Sequence, residues 1–210
     1  MPTMFDDCMR QLPLVAILRG ITAEEILPVG RVLYDAGFRL IEVPLNSPRP
    51  LESIRLLAAE LGQRCLVGAG TVLEAGQIEA VAAAGGRLIV MPHSDARLIR
   101  AAKAAGLFCA PGVATPTEGF AALEAGADAL KLFPAEQFGP AVVKAWRAVF
   151  ARDIALLPVG GIAPDSLQPY LDAGASGFGL GSALYQPGLS AAEVGQRAAA
   201  FVAAWQRTQG

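Results

Sequence analysis

Short apolar runs alternate with longer alanine-rich amphipathic stretches along almost the whole chain, and a glycine stands at most of the junctions. The junctions are Asp35-Ala36-Gly37 before residues 38–43, Leu61-Gly62 before 65–67 and Ala84-Gly85 before 88–90. They continue with Ala105-Gly106 before 107–110, Ala125-Gly126 before 127–132 and Ala173-Gly174 before 176–180. An apolar run of four to six residues bounded by Gly or Pro reads as a buried strand. The glycine is expected where a helix ends in the left-handed conformation. Successive intervals from Gly37 to Gly126 are 25, 23, 21 and 20 residues, and the next, to Gly174, is 48. The long interval is two units, with 154–159 as the strand between. Residues 14–18 add one more at the front.

Eight strands, each followed by a helical segment, predict a parallel sheet with right-handed crossovers. Eight units favour a closed eight-stranded (β/α)8 TIM barrel over an open doubly wound sheet, since no GxGxxG follows the first strand. The units fill the chain, so 1–210 reads as a single barrel domain, with a short extra helix over 3–12 closing the barrel bottom.

Two charged residues break the apolar runs. Lys131 lies in Ala129-Leu130-Lys131-Leu132-Phe133 and Glu42 in Leu40-Ile41-Glu42-Val43. The chain has three lysines against fourteen arginines, and Lys103 and Lys144 lie in alanine-rich helical segments. A desolvated lysine has a lowered pKa and a nucleophilic fraction near neutrality, as a Schiff base requires. The plainer alternative is a strand-end lysine with its head in water. Glu42 fits either a general acid/base or a structural ion pair with Arg19 or Lys131.

In such barrels the chemistry sits at the C-terminal strand ends. Those ends carry Arg19-Gly20, Glu42, Gly68-Ala69-Gly70-Thr71, Pro92-His93, Pro111-Gly112, Lys131 with Phe133, Gly160-Gly161 and Gly181-Ser182. The last two pairs follow the seventh and eighth strands, where backbone N–H groups commonly bind phosphate. Thr71 would orient substrate or cap the next helix. His93, the only histidine, reads as a loop residue, and one histidine argues against a metal-dependent aldolase or zinc hydrolase.

Composition narrows the class. A net charge of −2 without a basic block argues against nucleic acid. Cys8, Cys65 and Cys109 are far apart, and Cys65 and Cys109 are expected as buried free thiols. The N-terminus has acids where a signal peptide needs bases, and no apolar stretch reaches ~18 residues. A soluble, cytoplasmic enzyme without membrane association is the expectation.

Taken together, Arg19-Gly20, Glu42-Val43-Pro44-Leu45-Asn46-Ser47-Pro48, Gly68-Ala69-Gly70-Thr71-Val72, Lys131-Leu132-Phe133-Pro134-Ala135 and Val159-Gly160-Gly161-Ile162 resemble the KDPG/KDPGal aldolases. That resemblance implies a class I, Schiff-base pyruvate aldolase that needs no cofactor or metal and assembles as a homotrimer. It implies Lys131 as the Schiff-base lysine and Glu42 as acid/base, acting partly through water. Arg19, Thr71 and Pro92 would line the pyruvate-carboxylate end, with Phe133 beside the imine. Gly160, Gly161, Gly181 and Ser182 would hold the 6-phosphate of a small phosphorylated keto acid.

Two departures bear on the substrate. Pro44-Leu45-Asn46 stands where KDPG enzymes usually have Thr-Leu-Arg, and Val159 where they usually have threonine. Both resemble the 2-dehydro-3-deoxy-6-phosphogalactonate branch, and loss of a hydroxyl at Val159 bears on which C4 epimer is accepted. With no arginine at Asn46, Arg19 becomes the expected carboxylate partner. The alternatives are the gluconate epimer, a metal-dependent pyruvate aldolase or phosphosugar isomerase, and a phosphosugar-binding sensor.

Overall fold

The computed structural model describes residues 3–209. Helix α1 (Met4–Gln11) starts on a Thr3–Asp6 capping box and leads into β1 (Leu14–Ile17). Helices and strands then alternate through α2 (Ile26–Ala36), β2 (Leu40–Pro44), α3 (Pro50–Leu61), β3 (Leu66–Gly70), α4 (Ala75–Ala83) and β4 (Leu88–Val90). The next elements are α5 (Ala96–Ala104), β5 (Phe108–Ala110), β6 (Gly112–Val113), α6 (Pro116–Glu124) and β7 (Ala129–Leu132). The chain continues with α7 (Ala135–Trp146), β8 (Ala155–Pro158), a 3-10 turn (Pro164–Ser166), α8 (Leu167–Asp172), β9 (Phe178–Leu180) and α9 (Ala191–Arg207). The alternation read from the sequence holds. Of the six junction glycines, Gly62 departs from expectation, with an ordinary helical φ of −61°.

The closed eight-stranded barrel does not form. Six parallel strands make one sheet, in the order β5-β4-β3-β2-β1-β9, and three make another, β6-β7-β8, so the architecture is a partial (β/α) barrel. Both seams carry a proline, which has no N–H for a ladder. Pro111 follows the expected fifth strand, seen as β5, and separates it from β6, a short strand beyond the expected end. Pro158 ends β8, beyond which a single bridge, Val159 to Gly179, joins the second sheet to β9.

Strand alternation sorts the side chains into two cores. One set, including Leu14, Ala16, Ile41, Val67, Ile89 and Leu130, packs outward against the helices. The other set, including Val15, Leu40, Leu66, Leu88, Ala129 and Leu157, packs inward with Phe5 and Cys8 of α1. Phe5 stacks on Phe108 at 5.9 Å, so the helix expected over 3–12 does plug that interior. All three cysteines are buried free thiols. No helix among the described residues is long and apolar enough to cross a membrane.

Gly68 shows how tightly β3 and β4 meet, because a Cβ there would lie 1.9 Å from the carbonyl oxygen of Leu88. Main chain cannot swing aside as a side chain can. Gly68→Ala is expected to destabilise the protein by about 3 kcal/mol, read by urea unfolding. An unchanged midpoint would contradict that packing.

Candidate active site

The alternation that sends Leu40 and Ala129 inward sends Glu42 and Lys131 inward too, two residues further along β2 and β7. Glu42 is 1% exposed and Lys131 7% exposed. Both border a small cavity of about 20 Å³ inside the strands. Lys131 also borders a larger cavity of about 560 Å³ beyond the strand ends. The lysine therefore stands at the join of the two.

Neither residue is spent on structure. Among the described residues, the ion pair considered for Glu42 is not made with Arg19 or Lys131, and its buried Oε2 has no hydrogen-bond partner. Burial pushes its carboxyl up to about 7, against the opposing pull of the Lys131 and Arg19 charges. Burial also holds the Lys131 ammonium below its ordinary range, opposed by Glu42 and reinforced by Arg19. The Lys131 Nζ lies 4.7 Å from the centre of the Phe133 ring, a cation–π arrangement. The two groups are thus a basic carboxylate and an easily deprotonated amine within one interior.

The larger cavity gathers Arg19, Phe133 and Val159 around Lys131. Its far wall contains Gly160, Gly161, Gly181 and Ser182. Gly160 and Gly161 have φ of 110° and 66°, a conformation glycine adopts without strain. Among the described residues, the backbone N–H groups of Gly161 and Ser182 donate to no backbone acceptor in the loops that follow β8 and β9. Unspent amides on a cavity wall suit an anion.

Thr71 lies outside both cavities but touches the site through Arg19. The Arg19 guanidinium donates to Asn46 Oδ1 at 2.7 Å and to Thr71 Oγ1 at 3.4 Å. Thr71 is not the cap of the next helix, a place taken by Glu74, and its φ of 57° is unusual for a β-branched residue. The Gly20 N–H donates to Ser47 Oγ at 2.9 Å, which ties the Arg19 loop to the loop after β2. Pro92 borders neither cavity, and its carbonyl instead packs against Gly112. His93 is an exposed loop residue outside both cavities. No cluster of three or more His, Cys, Asp or Glu suited to a metal ion occurs among the described residues.

The sequence reading missed Glu136, Tyr185 and Gln186, which also line the larger cavity. Glu136 follows Lys131 by five residues and stands against Gly161, whose Cβ would meet the Glu136 Cβ at 2.9 Å. Its position at the start of α7, just past a strand end, was the available signal. Tyr185 and Gln186 lie in the turn that Gly181 opens by accepting from the Leu184 and Tyr185 N–H groups.

Likeness to known proteins bears on this site. The chain is 49% identical to the 2-dehydro-3-deoxy-6-phosphogalactonate aldolase of Escherichia coli K12, over 93% of its own length and 96% of that relative. It superposes on the solved structure of native KDPGal with a TM-score of 0.93 at 48% identity, covering 95% of this chain and 97% of that one. A more distant match is the Legionella pneumophila KDPG aldolase, in which pyruvate was captured at low pH as a covalent carbinolamine intermediate. Identity there is 26% and the TM-score 0.81, over 99% of this chain and 98% of that one. The KDPG and KHG aldolase family model matches residues 5–201. A buried lysine and glutamate beside an amide-walled cavity are thus set in a sequence matched nearly end to end, and the chain belongs to the KDPG and KHG aldolase family.

Proposed function

We propose that this chain is a class I aldolase that cleaves 2-dehydro-3-deoxy-6-phospho-D-galactonate to pyruvate and D-glyceraldehyde 3-phosphate. The observation that carries this reading is the shared burial of Lys131 and Glu42, unpaired, on one small cavity that Lys131 joins to the larger, amide-walled one. The neutral Lys131 amine attacks the C2 carbonyl, and loss of water gives a protonated imine. Glu42, acting through water, takes the proton of the C4 hydroxyl. The electron pair left on the C4 oxygen forms the aldehyde C=O while the C3–C4 pair moves into the imine, leaving an enamine. Protonation at C3 and hydrolysis then release pyruvate and restore the amine.

In this reading Arg19 faces the substrate carboxylate and Phe133 packs beside the imine. Gly160, Gly161, Gly181 and Ser182 receive the phosphate, whose binding positions the distant reacting bond. Thr71 and Asn46 hold the Arg19 guanidinium. Asn46→Ala is expected to raise KM about 10-fold with little change in kcat, since it loosens a charged group that binds without reacting. A loss in kcat alone would remove Asn46 from that part.

The galactonate epimer is favoured over the gluconate one by Val159, which borders both cavities without a hydroxyl, and by the 49% identity to the E. coli aldolase. The reading extends to one barrel-like domain per chain and a cytoplasmic homotrimer, supported by the family and by the exposed apolar side chains Phe120 and Val149. Sedimentation as a monomer would refute the trimer.

Borohydride reduction in the presence of pyruvate, followed by peptide mapping, tests the mechanism. A pyruvate-derived adduct on Lys131 is expected, and its absence from folded protein would reject the class I reading. Assay of both phosphorylated epimers tests the substrate, with the larger kcat/KM expected for the galactonate.

A further inference from the structure

We propose that Gly70 is a positioning residue whose missing side chain provides the seat of the Glu42 carboxylate. This rests on the reading of Glu42 as the acid/base, and it accounts for how an unbonded carboxylate is held in place. Strands β2 and β3 pair Glu42 with Gly68 and Pro44 with Gly70. A Cβ built on Gly70 would stand 1.6 Å from Glu42 Oε2, 2.4 Å from Cδ and 2.6 Å from Oε1. Those are the three atoms it would approach most closely, and together they are the whole carboxylate. The head group thus lies directly over the α-carbon of Gly70.

The requirement at Gly70 is for space, not for backbone freedom. Its φ lies outside the left-handed region, in contrast to Gly160 and Gly161. Its main chain is also fixed, because the Gly70 carbonyl accepts the Leu45 N–H at 2.8 Å. The strand therefore cannot retreat from an added methyl group, and the glutamate side chain must move.

The direction of that movement matters. Among the described residues, Glu42 has no hydrogen bond at Oε2 to resist it, and the space beside it is the small cavity it shares with Lys131. A carboxylate displaced there leaves the orientation needed to reach the C4 hydroxyl. Shape alone sets the aim of the proposed base, where other active sites use a hydrogen-bonded partner.

The test is a double-mutant cycle on the intact enzyme, using Gly70→Ala, Glu42→Ala and the pair. Gly70→Ala is expected to lower kcat about 100-fold with little change in KM, the scale of a misplaced catalytic group. It is also expected to move the acid limb of the kcat/KM profile. In the Glu42→Ala background the same substitution is expected to leave the residual rate and Tm unchanged within about twofold and experimental error respectively, since the group it displaces is gone. An equal penalty in both backgrounds, or a Gly70→Ala enzyme like the wild type, would overturn the proposal. Should Gly70→Ala alone fail to fold, recovery of folding in the double variant supports the proposal and continued failure refutes it. Pyruvate trapping on wild-type Lys131 is read separately, so loss of the aldolase reading is distinguishable from loss of this volume relation.

Discussion

Lys131→Ala is expected to lower kcat by on the order of 10⁵- to 10⁶-fold, the scale seen when a covalent nucleophile is removed. The imine is the electron sink for C3–C4 cleavage, and no other lysine can form it. Lys103 is engaged with Asp128 at 2.6 Å, and Lys144 sits on α7, neither of them bordering the cavities. Lys131→Arg is expected to fail as completely, because a guanidinium keeps its charge and does not attack a carbonyl. Stability should change little or rise, since removing a buried ammonium relieves its desolvation. The measurement is single-turnover cleavage with borohydride trapping on the same samples. A variant within tenfold of wild type would end the Schiff-base assignment at this residue.

Glu42→Gln is expected to lower kcat by about 10²- to 10⁴-fold, the range for loss of a positioned acid/base, while pyruvate still traps on Lys131. The pH dependence has a definite sign. The carboxylate form is the base, so wild-type kcat/KM should fall as pH drops through about 7, and the limb should vanish in the glutamine variant. Stability runs the other way. The folded carboxyl titrates at about 7 and its ordinary value is 4.5, so the native state keeps a proton that the unfolded chain has lost. That contribution is complete below pH 4.5 and is lost as pH rises through 7. Over this window the wild type should lose about 3 kcal/mol relative to the glutamine variant. Urea unfolding at a series of pH values reads it, and parallel curves would show that Glu42 is not buried as described.

Much of this site was legible because strand periodicity is local. Once 129–132 reads as a strand, Lys131 must share a face with Ala129, and Glu42 likewise with Leu40. Gly160-Gly161 and Gly181-Ser182, after the last two strands, were legible for a similar reason, since a glycine at a strand end leaves the backbone open to an anion wherever it occurs. Pro92, which the family resemblance places at the carboxylate end, has its carbonyl against Gly112 and borders neither cavity. Glu136 was overlooked because helix-start glutamates are common, and only the approach of α7 to Gly161 makes this one part of the cavity.

By itself the sequence determined the alternation of helices and strands, the inward face of each strand and the presence of two charges on those faces. These follow from periods of two and about 3.6 residues and from where Gly and Pro interrupt them. The tertiary structure alone decided that the barrel stays partial, that Glu42 and Lys131 meet without an ion pair, and that the carboxylate rests on Gly70. Such outcomes depend on register and distance between segments far apart in the chain. A missing N–H at Pro111 or Pro158 matters only once the neighbouring strand is in place, and a missing Cβ at Gly70 only once β2 lies beside β3.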